Sequence, residues 1–170
     1  SVWAYDPLGA LCESEDGWCV YTPSDGPDNL LKTMQPGWGY WVLAKEDTTL
    51  IIGGSLLAPG RTPPSRNLIP GWNLIGYYGT EGLHLYDGPD HAGKDAYAAL
   101  YSLTSGELGL AKWNSLYGFW QEKEPQFEGY GVMDNLDPGA GYWISMKDNQ
   151  NQYIYSPSTV DCGGFWSCWL

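Results

Sequence analysis

Four cysteines have the most definite chemistry in this sequence. They form two short-range pairs, Cys12 with Cys19 in CESEDGWC and Cys162 with Cys168 in CGGFWSC. The turn-forming SEDG favours two local disulfides, although four cysteines allow three pairings. Zinc is the less favoured interpretation, because neither pair has the usual ligand spacing and the histidines are far away in sequence. Disulfides predict an oxidising, extracytoplasmic location.

Residues for catalysis are scarce. The chain has two histidines, His84 and His91, and it has no GxSxG motif for an activated serine. The acids Glu122 and Glu124 stand close together in a polar segment, whereas the paired acids of glycosidases usually come from distant positions. We therefore predict that the protein is not an enzyme and needs no cofactor.

One loop, DGPDHAGKD, carries side chains that could bind a cation. Its candidate ligands are Asp87, Asp90 and Asp95, with His91 between them. Clustered acids in a polar loop are more simply interpreted as a solvated surface. We therefore predict no metal site.

The charge balance excludes several classes of partner. The chain has 20 acidic and 8 basic residues and a net charge of −12, so its acidity comes from scarce Lys and Arg. Binding to nucleic acid or to anionic lipid needs clustered cations, which the sequence lacks. No apolar run approaches the roughly 20 residues of a membrane helix. The opening SVWAYDPLG has no signal-peptide features, so in a secreted protein Ser1 would be a processed or artificial start.

The elements that must position these residues are short strands. Apolar runs of four to eight residues, rich in Tyr and Trp, alternate with turns built from the 23 Gly and 12 Pro. The pattern predicts an all-β fold of two tandem, small β-sandwich or barrel-like modules. It allows at most one short helix, within residues 90–106.

An internal repeat supports the two modules. PGWGYWV at 36–42 and PGAGYWI at 138–144 share their flanking pattern as well. Proline fixes φ at the corner, and the next residue, Gly37 or Gly139, takes the positive φ of a type II turn. The second glycine, Gly39 or Gly141, allows a strand to begin close to another backbone segment. Tyr and Trp then alternate across the pleat, so that one ring enters the core and the other faces away.

The repeat defines the predicted domain boundaries. A first, incomplete module covers residues 1–57, a Pro-rich linker 58–66, a complete module 67–157 and a disulfide-bearing tail 158–170. The first module lacks a counterpart of GWNLIG, and a sheet short of one strand exposes an edge. We expect that strand from the tail, from residues missing here, or from another copy of the protein.

These motifs resemble a known type of module. GWNLIGYY with LDPGAGYWI and MQPGWGYWV is similar to the GWNL/PGxGYW modules repeated in secreted and cell-surface proteins of archaea and some bacteria. The resemblance covers most of residues 1–155. It implies an extracellular β-rich module of surface layers, adhesins or large secreted proteins, and it transfers no catalytic residue. The cysteines and the tail depart from the pattern.

Two functions follow as expectations. The first is a non-catalytic structural subunit of a cell-surface filament, sheath or surface layer, a homo-oligomer joined by exchange of a strand or tail. The alternative is a carbohydrate-binding or adhesion module whose partners are cell-surface glycans. Its candidate contact aromatics are Trp38, Trp72, Tyr77, Tyr78, Trp113 and Trp120. Trp38 stands out because its repeat partner is Ala140.

Overall fold

A computed structural model describes residues 1–49, 51, 64–77, 94–95, 99–105, 110–118, 126–129, 135–136 and 139–156. Its strands pair antiparallel throughout this part of the chain, and no helix there reaches seven residues. The helical elements with defined bounds are two short 3-10 segments, Pro23–Asp28 and Tyr101–Leu103. The prediction of an all-β fold is confirmed.

Thirteen strands lie within the described residues. In chain order they are β1 (Val2–Tyr5), β2 (Trp18–Tyr21), β3 (Trp41–Val42), β4 (Arg66–Leu68), β5 (Gly71–Gly76), β6 (Lys94–Asp95), β7 (Thr104–Ser105), β8 (Leu110–Ala111), β9 (Trp113–Gly118), β10 (Gln126–Gly129), β11 (Asn135–Leu136), β12 (Gly141–Met146) and β13 (Tyr153–Tyr155). The large sheet has the order β10-β9-β12-β5, and the small sheet has the order β2-β1-β3. Three two-stranded pairs complete the set: β4 with β13, β6 with β11, and β7 with β8.

The main core lies on one face of the large sheet. Along β12, Tyr142, Ile144 and Met146 are buried, whereas the residues between them are partly exposed, as the period of a strand requires. The β4–β13 pair and the second 3-10 segment cover this face. The core consists of Leu68, Ile75, Tyr77, Ala99, Leu100, Leu103, Trp113, Leu116, Leu136, Tyr142, Ile144, Met146, Tyr153 and Tyr155.

The asparagine of GWNL holds the turn from β4 to β5. The side chain of Asn73 is buried, and its Nδ2 donates to the carbonyl oxygens of Ile69 at 2.8 Å and Gly71 at 3.0 Å. Its Oδ1 accepts from the Ile69 N–H at 3.0 Å. A buried amide with these partners stabilises the turn without leaving a polar group unsatisfied.

The small sheet has its own core on one face. Ala4, Cys12, Cys19 and Leu31 are buried there, and Tyr40 packs against them. The first PGxGYW copy therefore divides its aromatic pair as predicted, with Tyr40 against the small core and Trp41 in β3 on the opposite face. The second copy does the same, because Tyr142 is buried in the main core whereas Trp143 faces the other way.

The two PGxG turns meet at the end of β5. On one edge of β5, the Gly76 N–H donates to Gly37 O at 3.1 Å and the Gly39 N–H donates to Leu74 O at 3.4 Å. The φ angles of 82° at Gly37 and 80° at Gly139 confirm the predicted left-handed turn position.

The other edge of β5 meets the second turn. The Tyr77 N–H donates to Ala140 O at 3.1 Å, and the Gly139 N–H donates to Tyr77 O at 3.0 Å. The end of β5 is thus bonded to one copy of the motif on each side. Strand β5 of the same chain thus pairs with the turn of the first PGxGYW copy.

Two glycines make this close approach possible, and we refer to Gly39 and Gly76 together as the glycine crossing. A Cβ on Gly76 would lie 2.3 Å from the carbonyl oxygen of Trp38, and one on Gly39 would lie 2.7 Å from that of Ile75. Any side chain at either position would push backbone away from backbone. Gly141 lies beside them, and a Cβ on Gly141 would lie 3.8 Å from Gly39 Cα.

One predicted domain boundary, between the linker and the second module, can be compared with the observed strands. Strand β4 begins at Arg66, the last residue of the predicted linker. Most of the linker, residues 58–63, and the whole tail, residues 158–170, lie outside the described residues.

We predict that Gly76→Ala lowers the free energy of unfolding by about 3 kcal/mol, because the new methyl group overlaps the Trp38 backbone. Gly141→Ala is the matched control. Gly141 faces Gly76 in the β5–β12 pair, and a Cβ added there would make only van der Waals contacts of ordinary length. Its expected cost is under about 1 kcal/mol. Urea unfolding followed by tryptophan fluorescence measures both, and equal losses would contradict the crossing.

Candidate functional site

One face of the small sheet is aromatic. Directly opposed residues of an antiparallel pair share a face, so Trp3 lies with Val20 of β2 and with Trp41 of β3. Two residues further along the strands, Tyr5 and Trp18 are opposed on the same side. This face points away from the small core.

The aromatic face forms a cleft of about 750 Å³, which we call the aromatic cleft. Trp41 is its most exposed ring at 41%, and Leu43 beside it is 62% exposed. The lining residues are Trp3, Asp16, Trp18, Val20, Trp41, Val42 and Leu43. The volume lies within the roughly 300–1,000 Å³ of ordinary ligand sites, which are mostly apolar and aromatic with a few polar groups.

A ring cluster fixes one end of the cleft to the large sheet. The rings of Tyr5 and Trp18 are 5.2 Å apart, and Trp143 of β12 lies 5.7 Å from Tyr5 and 6.1 Å from Trp18. These are tilted and edge-to-face contacts, which aromatic quadrupoles favour. The orientation of Trp18 therefore depends on both sheets.

Asp16 is the charged group of the cleft, and its carboxylate is held by two donors. The Ser14 hydroxyl donates to Asp16 Oδ1 at 2.6 Å, and the Trp18 N–H donates to the same oxygen at 3.0 Å. These bonds, first the hydroxyl and then the backbone donor, lower the pKa of the fully exposed Asp16. The carboxylate is therefore negative at neutral pH.

The loop that carries Asp16 is tied down from beneath. The structure confirms the predicted disulfide between Cys12 and Cys19, with Cα atoms 5.8 Å apart. Buried Asp6 accepts backbone N–H bonds from Leu8, at 3.2 Å, and from Leu11. A disulfide closing so short a loop stabilises the fold by about 2–3 kcal/mol on the chain-entropy model. The predicted partners Cys162 and Cys168 lie outside the described residues.

Of the predicted contact aromatics, the four within the described residues do not line this cleft. Trp38, Tyr77 and Trp113 are buried, so the interpretation of these three as exposed contacts is corrected to core residues. Burial also raises the pKa of the Tyr77 phenol. Trp72 is 46% exposed but does not line the cleft. Tyr78 and Trp120 lie outside the described residues.

Trp38 makes a specific contact inside the chain. The guanidinium carbon of Arg66 lies 3.6 Å from the centroid of its ring, and Arg66 Nη1 donates to Leu74 O at 2.8 Å. Burial lowers the pKa of Arg66 to about 10, which leaves the group charged at neutral pH. The difference between Trp38 and Ala140 is explained here, because Ala140 instead packs against the main core.

We predict that Trp38→Ala lowers the free energy of unfolding by about 3–5 kcal/mol, because it opens a cavity and uncovers a buried cation. Trp38→Phe keeps a ring over Arg66 and is expected to lose less. Urea unfolding of both variants provides the measurement. An alanine variant as stable as the original chain would show that the stack contributes nothing.

Among the described residues, no three His, Cys, Asp or Glu side chains group as ligands. Asp87 and Asp90 lie outside those residues, and for Asp95 only the backbone is described. Within the same part of the chain, no helix has the length and apolar character needed to cross a membrane.

No protein-family model, curated protein or solved structure matches this chain. The likeness to GWNL/PGxGYW modules therefore stays a prediction from the motifs.

The alternation of side chains along β1 and β2 indicates the cleft in the sequence, although the predicted contact aromatics did not include its residues. Cys19 belongs to a buried disulfide, so its neighbours Trp18 and Val20 must point to the other side of β2. The same alternation places Trp3 and Tyr5 opposite to Ala4. Combined with Trp41 of the first motif, this parity identifies one aromatic face.

Proposed function

We propose that this chain is a non-catalytic, extracellular module that binds a carbohydrate chain in the aromatic cleft. The observation that carries the proposal is the placement of Trp3, Trp18 and Trp41 on one face of a small sheet whose other face is its core. A sugar ring presents C–H groups on its flat faces and hydroxyls at its edge. Flat aromatic surface beside a polar rim suits both parts of such a ligand.

Binding suits the cleft better than hydrolysis does. Glycosidases generally act through two carboxyl groups flanking the scissile bond. Among the described lining residues, Asp16 is the only acid, and its Oδ1 already accepts two hydrogen bonds. One carboxylate at the rim supports ligand orientation without a partner for acid–base chemistry.

The extracellular location is supported by the disulfide beneath the cleft. A bond between Cys12 and Cys19 persists where thiols are oxidised, outside the reducing cytosol. The scarcity of Lys and Arg fits the same setting, because neither nucleic acid nor an anionic membrane surface is then a partner.

We predict that Trp41→Ala weakens polysaccharide binding about three- to tenfold, because it removes the most exposed stacking face of the cleft. Affinity electrophoresis against neutral and charged polysaccharides, followed by calorimetry, measures the change. Trp72→Ala is the matched control, since this exposed tryptophan lies on β5 and does not line the cleft. Equal losses in both variants, or no binding to any polysaccharide, would rule the proposal out.

Self-assembly is the second candidate, and it is favoured by exposed apolar side chains around β3. Trp41, Val42 and Leu43 are exposed on consecutive positions, and Ile51 follows after a polar turn. Consecutive exposed apolar residues on a short strand are typical of surfaces that pair with another chain. The bonds from β5 to Gly37 and Gly39 reduce the need for an exchanged strand, so this candidate rests on the apolar side chains.

We predict that, if copies associate, Leu43→Lys shifts the assembly towards monomer. A charge directly after β3 opposes burial of this surface against a second copy. Sedimentation velocity over a concentration series, with electron microscopy for fibres, measures the change. Ile154→Lys is the control, because Ile154 is similarly exposed on β13. A chain that stays monomeric at high concentration removes assembly as a function.

A further inference from the structure

We propose that the aromatic cleft selects glycans that carry protonated amines, such as polymers of 2-amino-2-deoxyglucose, and that Asp16 sets this selectivity. The inference rests on the proposed function, since it names the class of sugar that the cleft takes. It concerns charge, whereas the glycan proposal concerns stacking, so the two can be tested separately.

Asp16 offers a fixed negative charge beside the rings. Its side chain lines the cleft, and its Oδ1 accepts the hydrogen bonds from Ser14 and Trp18. The Ser14 hydroxyl and the Trp18 N–H hold the carboxylate in place. An ammonium group of a sugar lying over Trp18 can therefore pair with Asp16 without a large rearrangement of the loop.

The rings favour the same sign of charge. The face of an aromatic ring is the negative part of its quadrupole, and tryptophan attracts a cation more strongly than tyrosine or phenylalanine does. Three tryptophans line the cleft, and the described lining residues include neither Lys nor Arg. Stacking and charge therefore act together on an amine-bearing sugar.

Acidic glycans are disfavoured by the same arrangement. A sugar carboxylate in the cleft would face Asp16 on a protein whose net charge is −12. Like charges at short distance raise the free energy of the complex, and this penalty discriminates between glycans of otherwise equal shape.

A series of oligosaccharides with one backbone tests the inference. β-1,4-linked oligomers of glucose, N-acetylglucosamine and glucosamine, equal in length, differ only in the hydroxyl, acetamido or ammonium group at C2. Calorimetry with the wild-type chain is expected to show about two- to fivefold tighter binding of the glucosamine oligomer than of the neutral ones, the range of an exposed ion pair. High salt is expected to remove this preference, because it screens exposed charges.

Two variants locate the effect. Asp16→Asn keeps an oxygen for the Ser14 and Trp18 donors and removes the charge, so it is expected to abolish the preference for the glucosamine oligomer over the neutral ones. Glu15→Gln removes the same charge one residue away, on a side chain that does not line the cleft, and is expected to keep the preference.

Each contrary result has a definite meaning. Equal binding of all three oligomers by the wild-type chain overturns the selectivity and leaves the glycan proposal standing. Equal losses in Asp16→Asn and Glu15→Gln overturn the role of Asp16, because net charge then explains the preference. Tetramethylammonium that binds as tightly as the oligomer overturns the glycan itself in favour of a simple cation site. Binding of none of the oligomers overturns the selectivity for amine-bearing glycans, whereas the glycan proposal itself is decided by the polysaccharide series.

Discussion

The close approach of backbone to backbone at the glycine crossing is the constraint on which the rest of the fold depends. The carbonyl oxygen of Trp38 occupies the place where Gly76 would carry a Cβ, so the first turn lies directly on the edge of β5. No side chain separates these segments, and their N–H and C=O groups bond to each other. Backbone groups buried at such a contact must be paired, and here they are paired across the two halves of the chain.

This contact positions the elements of the aromatic cleft. The first turn fixes the start of β3, and β3 pairs with β1, which pairs with β2. The second turn, on the other edge of β5, leads into β12 and brings Trp143 to Tyr5 and Trp18. Arg66 and Trp38 stiffen the same junction by stacking. The residues that line the cleft all lie between Trp3 and Leu43, but their orientation depends on strands much later in the sequence.

Local patterns predicted the all-β character, the turn glycines, the Cys12–Cys19 bond and the division of each Tyr–Trp pair between two faces, because these depend on neighbouring residues. The burial of Trp38 could not be predicted in the same way. It depends on Arg66 and Leu74, which are distant in sequence, and the Pro-rich context of Arg66 indicated a linker. The first turn and β5 are also distant in sequence. Their pairing explains why the first copy of the PGxGYW motif looked incomplete in the sequence. The alternation of side chains along β1, β2 and β3 is enough to predict the aromatic cleft. The predicted contact residues were instead single aromatic side chains in turns, which share no face.

The sharing of β5 also sets an order of events during synthesis. Residues 1–41 leave the ribosome first, yet their turn has no edge to bond until Gly76 has been made, and Trp18 has no ring from β12 until Trp143 follows. Such non-local pairings form late, because the intervening chain must be ordered before they are rewarded. The contacts that hold the aromatic face against β5 and Trp143 can therefore form only after the face itself has been translated. A nascent or truncated chain that ends before β5 lacks these contacts.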